Sequence, residues 1–440
     1  MNFYFVVFAA TLVVSIIFTY VNFNLEKIEN TEQQKFQKNY LIVYTLAYFA
    51  DWLKGPYVYA LYESHGMTEH EISLLFVVGF GVSGLCGPVI GGLADKYGRK
   101  KLSVVYFVVY ILSALCKPFP NFNMLLLGRV LSGIGTSLLT TTFESWMVSE
   151  HNRRQYTREL LDDTFSKSTL CNSFSAIVAG IVAQISAQRF GYIAPFAIAL
   201  NPLIIGMYLC LKTWENDSQK IPQSKLSGSI KIDKNMWVLG LSQSLFLGAM
   251  YTFVFLWTPT LDISNPNVPY GLVFATFMGM ISIGSGIFKL IASRTEKLPF
   301  LIFSLCILST LVTIVSIENE YAVFLSFLVF ELGCGIMFPT YGSLRSTYIP
   351  EEHRTTIMNI YRIPLNLFVV GVLLTKQYMT LKNSFTICLM AYVACILIWC
   401  AFTPKQRIHE GNKYNRTEET SDLDEYDLES DEDLALEEMF

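Results

Sequence analysis

The sequence predicts an all-α protein that crosses a membrane many times. Of its 440 residues, 52% are hydrophobic and only 15% are charged, which is far too apolar for a soluble enzyme of this size. Thirteen apolar runs follow one another along the chain. Each is close to the roughly 20 residues that a helix needs to span a bilayer. The lipid bilayer is therefore the expected surrounding of the protein, and nucleic acid is not an expected partner.

A third observation orients these helices. When the chain is threaded through thirteen spans, basic residues collect in every second loop, and short basic loops face the cytosol. The segment from Gly91 to Leu102 alone carries four cations. The opposite loops carry almost none, namely Lys117, Arg189, Lys376 and Lys382. The N-terminus is therefore expected outside and the C-terminus in the cytosol. The cell membrane is the default location, because no organelle signal is evident.

The first apolar run, Phe3 to Tyr20, is predicted to be a retained transmembrane helix. It has no basic region before it and no small-residue cleavage site after it, so it does not read as a signal peptide. The next six runs share the length of a membrane span and lie between 41 and 211. They are Leu41 to Leu61, Ile72 to Ile90, Leu102 to Lys117, Phe122 to Val148, Ser168 to Ala187 and Tyr192 to Leu211.

A longer polar stretch then separates the first seven runs from the last six. These last runs are Met236 to Trp257, Tyr270 to Ala292, Leu298 to Ile317, Tyr321 to Leu344, Thr356 to Thr375 and Phe385 to Phe402. Beyond Thr403 the chain becomes acidic, which is typical of a disordered tail. The nine cysteines form no metal-binding spacing, so neither a metal nor another cofactor is expected.

The segment from Gly91 to Leu102, read as G-G-L-A-D-K-Y-G-R-K-K-L, is a tight charged turn between two apolar runs. It resembles the signature loop of the major facilitator superfamily, a family of secondary transporters. Eight positions match: Gly91, Leu93, Ala94, Asp95, Lys96, Gly98, Arg99 and Lys100. The resemblance implies twelve helices in two six-helix halves that open alternately to either side. The first run is then one extra N-terminal transmembrane helix.

This resemblance divides the chain into five parts. Residues 1–40 hold the extra helix and its connection, 41–213 and 236–403 form the two six-helix halves, 214–235 link them in the cytosol, and 404–440 are the acidic tail. The two halves also show a weak sequence similarity to each other. Gly133 and Gly135 in the fifth run correspond to Gly333 and Gly335 in the eleventh, although glycines that merely allow close packing would explain each pair alone.

Charged residues inside the apolar runs are the candidate site residues, because a charge at the bilayer centre costs roughly 2.5 to 3.5 kcal/mol on insertion scales. Asp51 and Lys54 lie three residues apart in D-W-L-K-G-P-Y, where the Gly55-Pro56 pair predicts a break in the helix. A plain ion pair within the helix is the alternative. By depth Arg129 lies near Lys54, and two cations on adjacent walls suit an anion. Arg129 also resembles the cavity arginine of the superfamily's fourth helix.

Two further charges lie deep in the second half. Glu331 is a candidate for proton coupling, as is Asp51, because a buried carboxylate can load and release a proton. Arg362, just before a helix-bending proline, is a third candidate for substrate binding. The rival interpretation is that Glu331 permanently neutralises Arg362.

Three charges are expected to form a gate at the cytosolic end. In relatives of the resembled superfamily, charge pairs between the signature loop and the end of the fourth helix close the inner side. That pattern carries over to Asp95 and Arg99 of the loop and to Glu144, which we expect to pair with Arg99.

Longer stretches resemble the eukaryotic molybdate-anion transporters of this superfamily, among them A-D-W-L-K-G-P-Y, G-R-V-L-S-G-I-G and F-E-L-G-C-G-I-M-F-P. The resemblance implies uptake of molybdate, a tetrahedral oxyanion, into the cytosol. Sulfate, an organic anion or a sugar are alternative cargoes. A membrane sensor or scaffold, whose acidic tail recruits a cytosolic partner, is an alternative of another class. No pattern of catalytic residues indicates an enzyme.

Overall fold

A computed structural model describes residues 2–22, 31–215, 233–265, 267–349 and 354–402. Within these residues the chain forms fourteen α-helices joined by short turns. They are α1 (Asn2–Asn22), α2 (Thr31–Trp52), α3 (Val58–Ser64), α4 (Glu69–Tyr97), α5 (Arg99–Leu115), α6 (Phe122–Arg153), α7 (Arg158–Phe190), α8 (Ala194–Thr213), α9 (Lys234–Asp262), α10 (Tyr270–Ile291), α11 (Leu298–Val315), α12 (Glu320–Tyr348), α13 (Arg354–Thr375) and α14 (Leu381–Trp399).

Each of the thirteen apolar runs coincides with one helix, or with the α2–α3 pair. Nine of the described helices are long and apolar enough to cross a membrane by length and composition. They are α4 and every helix from α6 to α14 except α13. The protein is therefore a multi-pass membrane protein, as its sequence predicts.

The break predicted at Gly55-Pro56 is present. Helix α2 ends at Trp52, a short 3-10 turn covers Gly55–Tyr57, and α3 starts at Val58. Proline has no backbone N–H to continue the helical bonding, and glycine weakens a helix. Lys54 consequently lies in the irregular turn between the two helices, where its side chain is not confined to a helix surface.

The helices pack as two groups of six spans. The first group runs from α2 to α8, and the second from α9 to α14. The two halves meet along α7 with α10 and along α4 with α13. We call the end of the bundle that carries the α4–α5 turn at Gly98 the basic end, and the other end the opposite end.

Both glycine pairs mark close helix crossings. A Cβ on Gly133 would lie 2.7 Å from the Gly79 carbonyl oxygen of α4, and one on Gly335 would lie 2.2 Å from the Ile281 carbonyl oxygen of α10. Close packing therefore accounts for Gly133 and Gly335, as it does for many glycines in membrane helices.

We expect Gly335→Val to lower the yield and thermal stability of the folded protein strongly. The new side chain would collide with backbone, which cannot rotate away, and overpacking costs typically ~1–3 kcal/mol or more. Gly371→Val is the matched control, since a Cβ there meets nothing within 4 Å. Size-exclusion chromatography with a thermal ramp compares the two. Equal melting temperatures would contradict the crossing.

Helix α1 lies outside the two groups and packs along α10. Thr11 and Phe18 of α1 pack against Gly279 and Gly286 of α10, respectively. A Cβ on either glycine would lie within 2.8 Å of the side chain that packs on it. The Tyr4 hydroxyl donates a hydrogen bond to Glu320 of α12 at 3.3 Å. A helix beyond the twelve is thus present and fixed to the second half, and that it spans the membrane stays a prediction.

The predicted linker lies largely outside the described residues, as does the acidic tail from 403 onward. The described ends of the linker belong to the helical halves. Trp214 is buried and stacks on Trp146 with ring centroids 3.9 Å apart. Glu215 forms ion pairs with Arg153, the last residue of α6, and with Arg154, which follows it. Trp214 and Glu215 therefore pack against the end of α6, and the boundary of the linker stays a prediction.

Candidate functional site

A polar cluster surrounds the break between α2 and α3. Lys54 Nζ lies 3.3 Å from Asp51 Oδ1 and 3.4 Å from the centroid of the Tyr110 ring. The Tyr110 hydroxyl donates a 2.8 Å hydrogen bond to the same Asp51 oxygen. The Asp51 side chain is 29% exposed and that of Lys54 is 10% exposed. The ion pair is thus anchored by an aromatic residue from a third helix.

Helix α6 completes this cluster. Thr136 Oγ1 lies 2.8 Å from the Tyr110 hydroxyl oxygen, and Gly135 gives the Tyr110 ring room, since a Cβ there would lie 2.0 Å from it. Sequence analysis missed Tyr110 and Thr136. Their positions become evident only from the packing of α5 on α6.

Arg129 lies about two turns from Thr136 along α6, toward the opposite end. Its guanidinium carbon is 4.2 Å from the Phe76 ring centroid and 5.4 Å from that of Tyr62. Both separations fall within the range of cation–π attraction. The buried Nε of Arg129 has no hydrogen-bond partner among the described residues. A donor left without an acceptor in a buried position is costly, and an anion would supply the missing acceptor.

Lys117 is a third basic residue of this region. It lies in the α5–α6 loop, and only 3% of it is exposed. Its Nζ donates a 2.6 Å hydrogen bond to the Tyr62 hydroxyl and lies 3.8 Å from the Cβ position of Gly128. His65 holds the Lys117 carbonyl oxygen at 2.8 Å. The α5–α6 loop therefore folds inward against α3.

The cluster contains three basic side chains. Lys54, Lys117 and Arg129 all lie within electrostatic range of one another, and Asp51 forms an ion pair with Lys54. The prediction that Lys54 and Arg129 are neighbours is consistent with this arrangement. Such a set of basic side chains and of N–H and O–H donors is suited to an oxyanion, which accepts charge-assisted hydrogen bonds.

Arg362 does not join this cluster directly. Its Nη1 lies 2.5 Å from the Cβ position of Gly87, so it crosses from α13 to α4. Arg129 meets the same helix at Gly79, eight residues away, which corresponds to about 12 Å along the helix axis. Arg362 is thus placed roughly two helical turns nearer the basic end.

Glu331 is buried in α12 among residues of the second half. Its charge acts on Cys306 and Cys334, and no ion pair joins it to Arg362 in the described part of the chain. The neutralisation of Arg362 by Glu331 is therefore not seen in this structure. Among the described residues Glu331 is thus a buried carboxylate with no ion-pair partner, and its part in proton coupling stays a prediction.

The three gating candidates lie near the basic end. Arg99 is buried at the start of α5. Glu144 of α6 is within electrostatic range of Tyr40, Tyr44 and Tyr48 of α2. The side chain of Asp95 lies outside the described residues. The pairing of Glu144 with Arg99 stays a prediction.

Several contacts join the two halves toward the opposite end. Gln184 Oε1 of α7 accepts hydrogen bonds from the Tyr57 hydroxyl at 2.8 Å and from the Gly271 amide of α10 at 2.9 Å. Lys376 and Glu69 form an ion pair of 2.5 Å between the halves. Rings stack there as well, with Phe80 and Tyr251 centroids 5.0 Å apart. The opposite end is therefore closed in this conformation.

Comparisons with known proteins agree with this architecture. A family model described as sugar transporters with 12 TM matches residues 2–333. The curated Molybdate-anion transporter of Xenopus tropicalis is 32% identical to this chain over 84% of the chain and 86% of the relative. That of Danio rerio is 33% identical over 77% of the chain and 79% of the relative.

A solved structure extends the likeness to three dimensions. The crystal structure of a mutant of the nucleoside transporter NupG superposes with a TM-score of 0.68 at 12% identity, and covers 84% of this chain and all of its own. At that identity the likeness concerns the fold alone. Relatives and fold alike are those of transporters, not of enzymes. Family model, relatives and fold together identify the chain as a member of the major facilitator superfamily of membrane transporters.

Proposed function

We propose that this protein is a secondary active transporter of molybdate. The observation that carries the proposal is the identity of about one third, over most of the chain, to curated molybdate-anion transporters. The cluster of Lys54, Arg129 and Lys117 supports it, because a tetrahedral oxyanion needs several converging cations and donors. Both lines favour an anion over a neutral sugar.

Transport would proceed by alternating access between the two six-helix halves. Lys54 and Arg129 bind the anion beside the α2–α3 break. Arg362 binds it nearer the basic end. The basic end faces the cytosol, as its cations favour, and the protein lies in the cell membrane with its N-terminus outside. The closed opposite end then corresponds to a conformation that releases substrate inward.

Proton coupling is part of the proposal. Asp51 lies in direct contact with Lys54, so a change in its protonation alters the charge that a bound anion meets. Glu331 offers a second buried carboxylate. Asp95, Arg99 and Glu144 are assigned to the gate at the basic end.

Uptake of labelled molybdate tests the function. In cells that lack their own high-affinity system, wild-type protein should raise uptake well above vector controls, and a tenfold excess of sulfate should leave a measurable part of it. Arg129→Ala should reduce uptake by more than tenfold, because a donor and a charge are both lost. Lys382→Ala, at an exposed lysine in the first turn of α14, is the control. No uptake by correctly inserted wild-type protein would refute molybdate as the cargo.

Removal of the acidic tail distinguishes a transporter from a scaffold. A chain that stops before Lys405 should transport molybdate at close to the full rate, since all proposed transport residues are retained. A scaffold that recruits cytosolic partners through its tail would lose its activity. Retained wild-type rates in the truncated chain, normalised to surface expression, would exclude the scaffold.

A further inference from the structure

The Asp51 carboxylate at the α2–α3 break accepts from a neutral hydroxyl and from a charged ammonium group. Its Oδ1 lies 2.8 Å from the Tyr110 hydroxyl and 3.3 Å from Lys54 Nζ. Charge-assisted N–H···O bonds are typically about 2.7–2.9 Å long, so the contact with Lys54 is loose. The hydroxyl from α5 is therefore the closer of these two partners.

Lys54 has the freedom to leave this carboxylate. It lies between the end of α2 at Trp52 and the 3-10 turn Gly55–Tyr57. Its Nζ is 3.4 Å from the centroid of the Tyr110 ring, a cation–π contact that does not bind it to one acceptor. Lysine also has a long flexible stem. A rotation of this side chain can therefore move the ammonium group from Asp51 to another anion.

Such a movement would be costly for Asp51 alone. An anion that binds Lys54 competes with the carboxylate for the same ammonium group. A carboxylate that loses its donor away from water is strongly destabilised, and the Asp51 side chain is only 29% exposed. The Tyr110 hydroxyl offsets this cost, because it already donates to the same oxygen.

Helix α6 holds Tyr110 in this position. Thr136 Oγ1 lies 2.8 Å from the Tyr110 hydroxyl oxygen. The ring packs on Gly135, where any Cβ would collide with it, and the whole residue is buried. The hydroxyl therefore stays beside Asp51 whichever anion Lys54 binds.

We propose that Tyr110 is a positioning residue for oxyanion binding, which keeps Asp51 hydrogen-bonded while Lys54 turns from Asp51 to the substrate. This inference rests on the proposed oxyanion transport, in which Lys54 binds the anion. Without the hydroxyl, Asp51 retains Lys54, and the anion has to break that ion pair uncompensated. Tyr110 thus raises the affinity without touching the anion.

Binding of labelled molybdate to purified full-length protein tests this role. Tyr110→Phe removes only the hydroxyl and keeps the ring beside Lys54. It should lower the affinity for molybdate about tenfold, which corresponds to one hydrogen bond to a charged group. Tyr106→Phe is the matched control and should bind like the wild type. Tyr106 lies one turn away in α5, is also buried, and donates to the Ala47 carbonyl oxygen.

A second substitution distinguishes positioning from packing. In an Asp51→Asn background no carboxylate competes for Lys54, so Tyr110→Phe should then change the affinity by less than about twofold. If Tyr110→Phe does not fold, Thr136→Val enters the same cycle, because it removes the hydroxyl that holds the Tyr110 oxygen. A neutral hydrogen bond is weaker, so the expected fall is about threefold.

The outcomes separate this inference from the proposed function. A folded Tyr110→Phe protein that binds molybdate as tightly as the wild type overturns the inference. An equal loss of affinity with Asp51 present and in the Asp51→Asn background also overturns it, since Tyr110 would then act through packing or through contact with the anion. Wild type that binds no molybdate refutes the oxyanion function itself.

Discussion

Replacing Gly271 by leucine should abolish molybdate uptake while leaving a folded protein in the membrane. The halves touch backbone to backbone at this point, since a Cβ on Gly271 would lie 2.3 Å from the Gly180 carbonyl oxygen. A leucine therefore keeps α7 and α10 apart at the opposite end. An overpacking cost of ~3 kcal/mol lowers the population of the closed conformation by roughly 150-fold.

The same substitution should leave the protein open toward the opposite end. Tyr251→Cys provides a reporter, because Tyr251 is covered by Phe80 in the closed conformation. A membrane-impermeant thiol reagent should label this cysteine about tenfold faster in the Gly271→Leu background. Gly371→Leu is the matched control, because a Cβ at Gly371 meets nothing within 4 Å. Wild-type uptake by folded Gly271→Leu would show that this contact plays no part in the transport cycle.

The architecture of this protein could be predicted largely from its sequence. The length of an apolar run predicts a membrane-spanning helix, and the Gly55-Pro56 pair predicts a break in a helix. Both predictions depend on local chemistry that does not vary with the fold. The structure places helices at all thirteen runs. Membership of the major facilitator superfamily, indicated by the segment from Gly91 to Leu102, is confirmed by the family model and by the relatives.

The charged residues of the cluster were predictable for a related reason. A charge within an apolar run is expensive, so Asp51, Lys54 and Arg129 stand out without knowledge of their neighbours. Tyr110, Tyr62 and Thr136 do not stand out, because aromatic and hydroxyl residues are common in membrane helices. Their part in the cluster depends on how α3, α5 and α6 are rotated, and rotation is set by packing.

Lys117 and Glu331 show what depth leaves open. A position in a loop does not say whether Lys117 is exposed, and the loop folds inward and buries it. The rival interpretation paired Glu331 with Arg362, whereas Arg362 reaches α4 at Gly87. Depth follows from counting residues at about 1.5 Å each, whereas direction around the helix axis does not.

Lys54→Ala should cause the largest loss of substrate binding among the single substitutions. The change removes one cation and leaves Asp51 without its partner, so the remaining carboxylate repels the anion. Breaking a buried ion pair costs ~3–5 kcal/mol. If most of the lower value, ~3 kcal/mol, is lost from the free energy of molybdate binding, the affinity falls by about 100-fold or more. Uptake should then be indistinguishable from background.

The double variant Lys54→Ala/Asp51→Ala should bind molybdate better than Lys54→Ala alone, by about tenfold, because it also removes the repelling carboxylate. Such non-additivity is expected of residues in direct contact. The Lys167–Asp163 pair of α7 is another ion pair between near neighbours in the chain, with Nζ and Oδ2 2.5 Å apart, and its two alanine variants provide the control cycle. Binding isotherms of the wild type, the two single variants and the double variant of each cycle give the coupling free energy between the two residues. If Lys54→Ala and the double variant bind equally weakly, Asp51 does not face the anion, and Lys54 contributes through its charge alone.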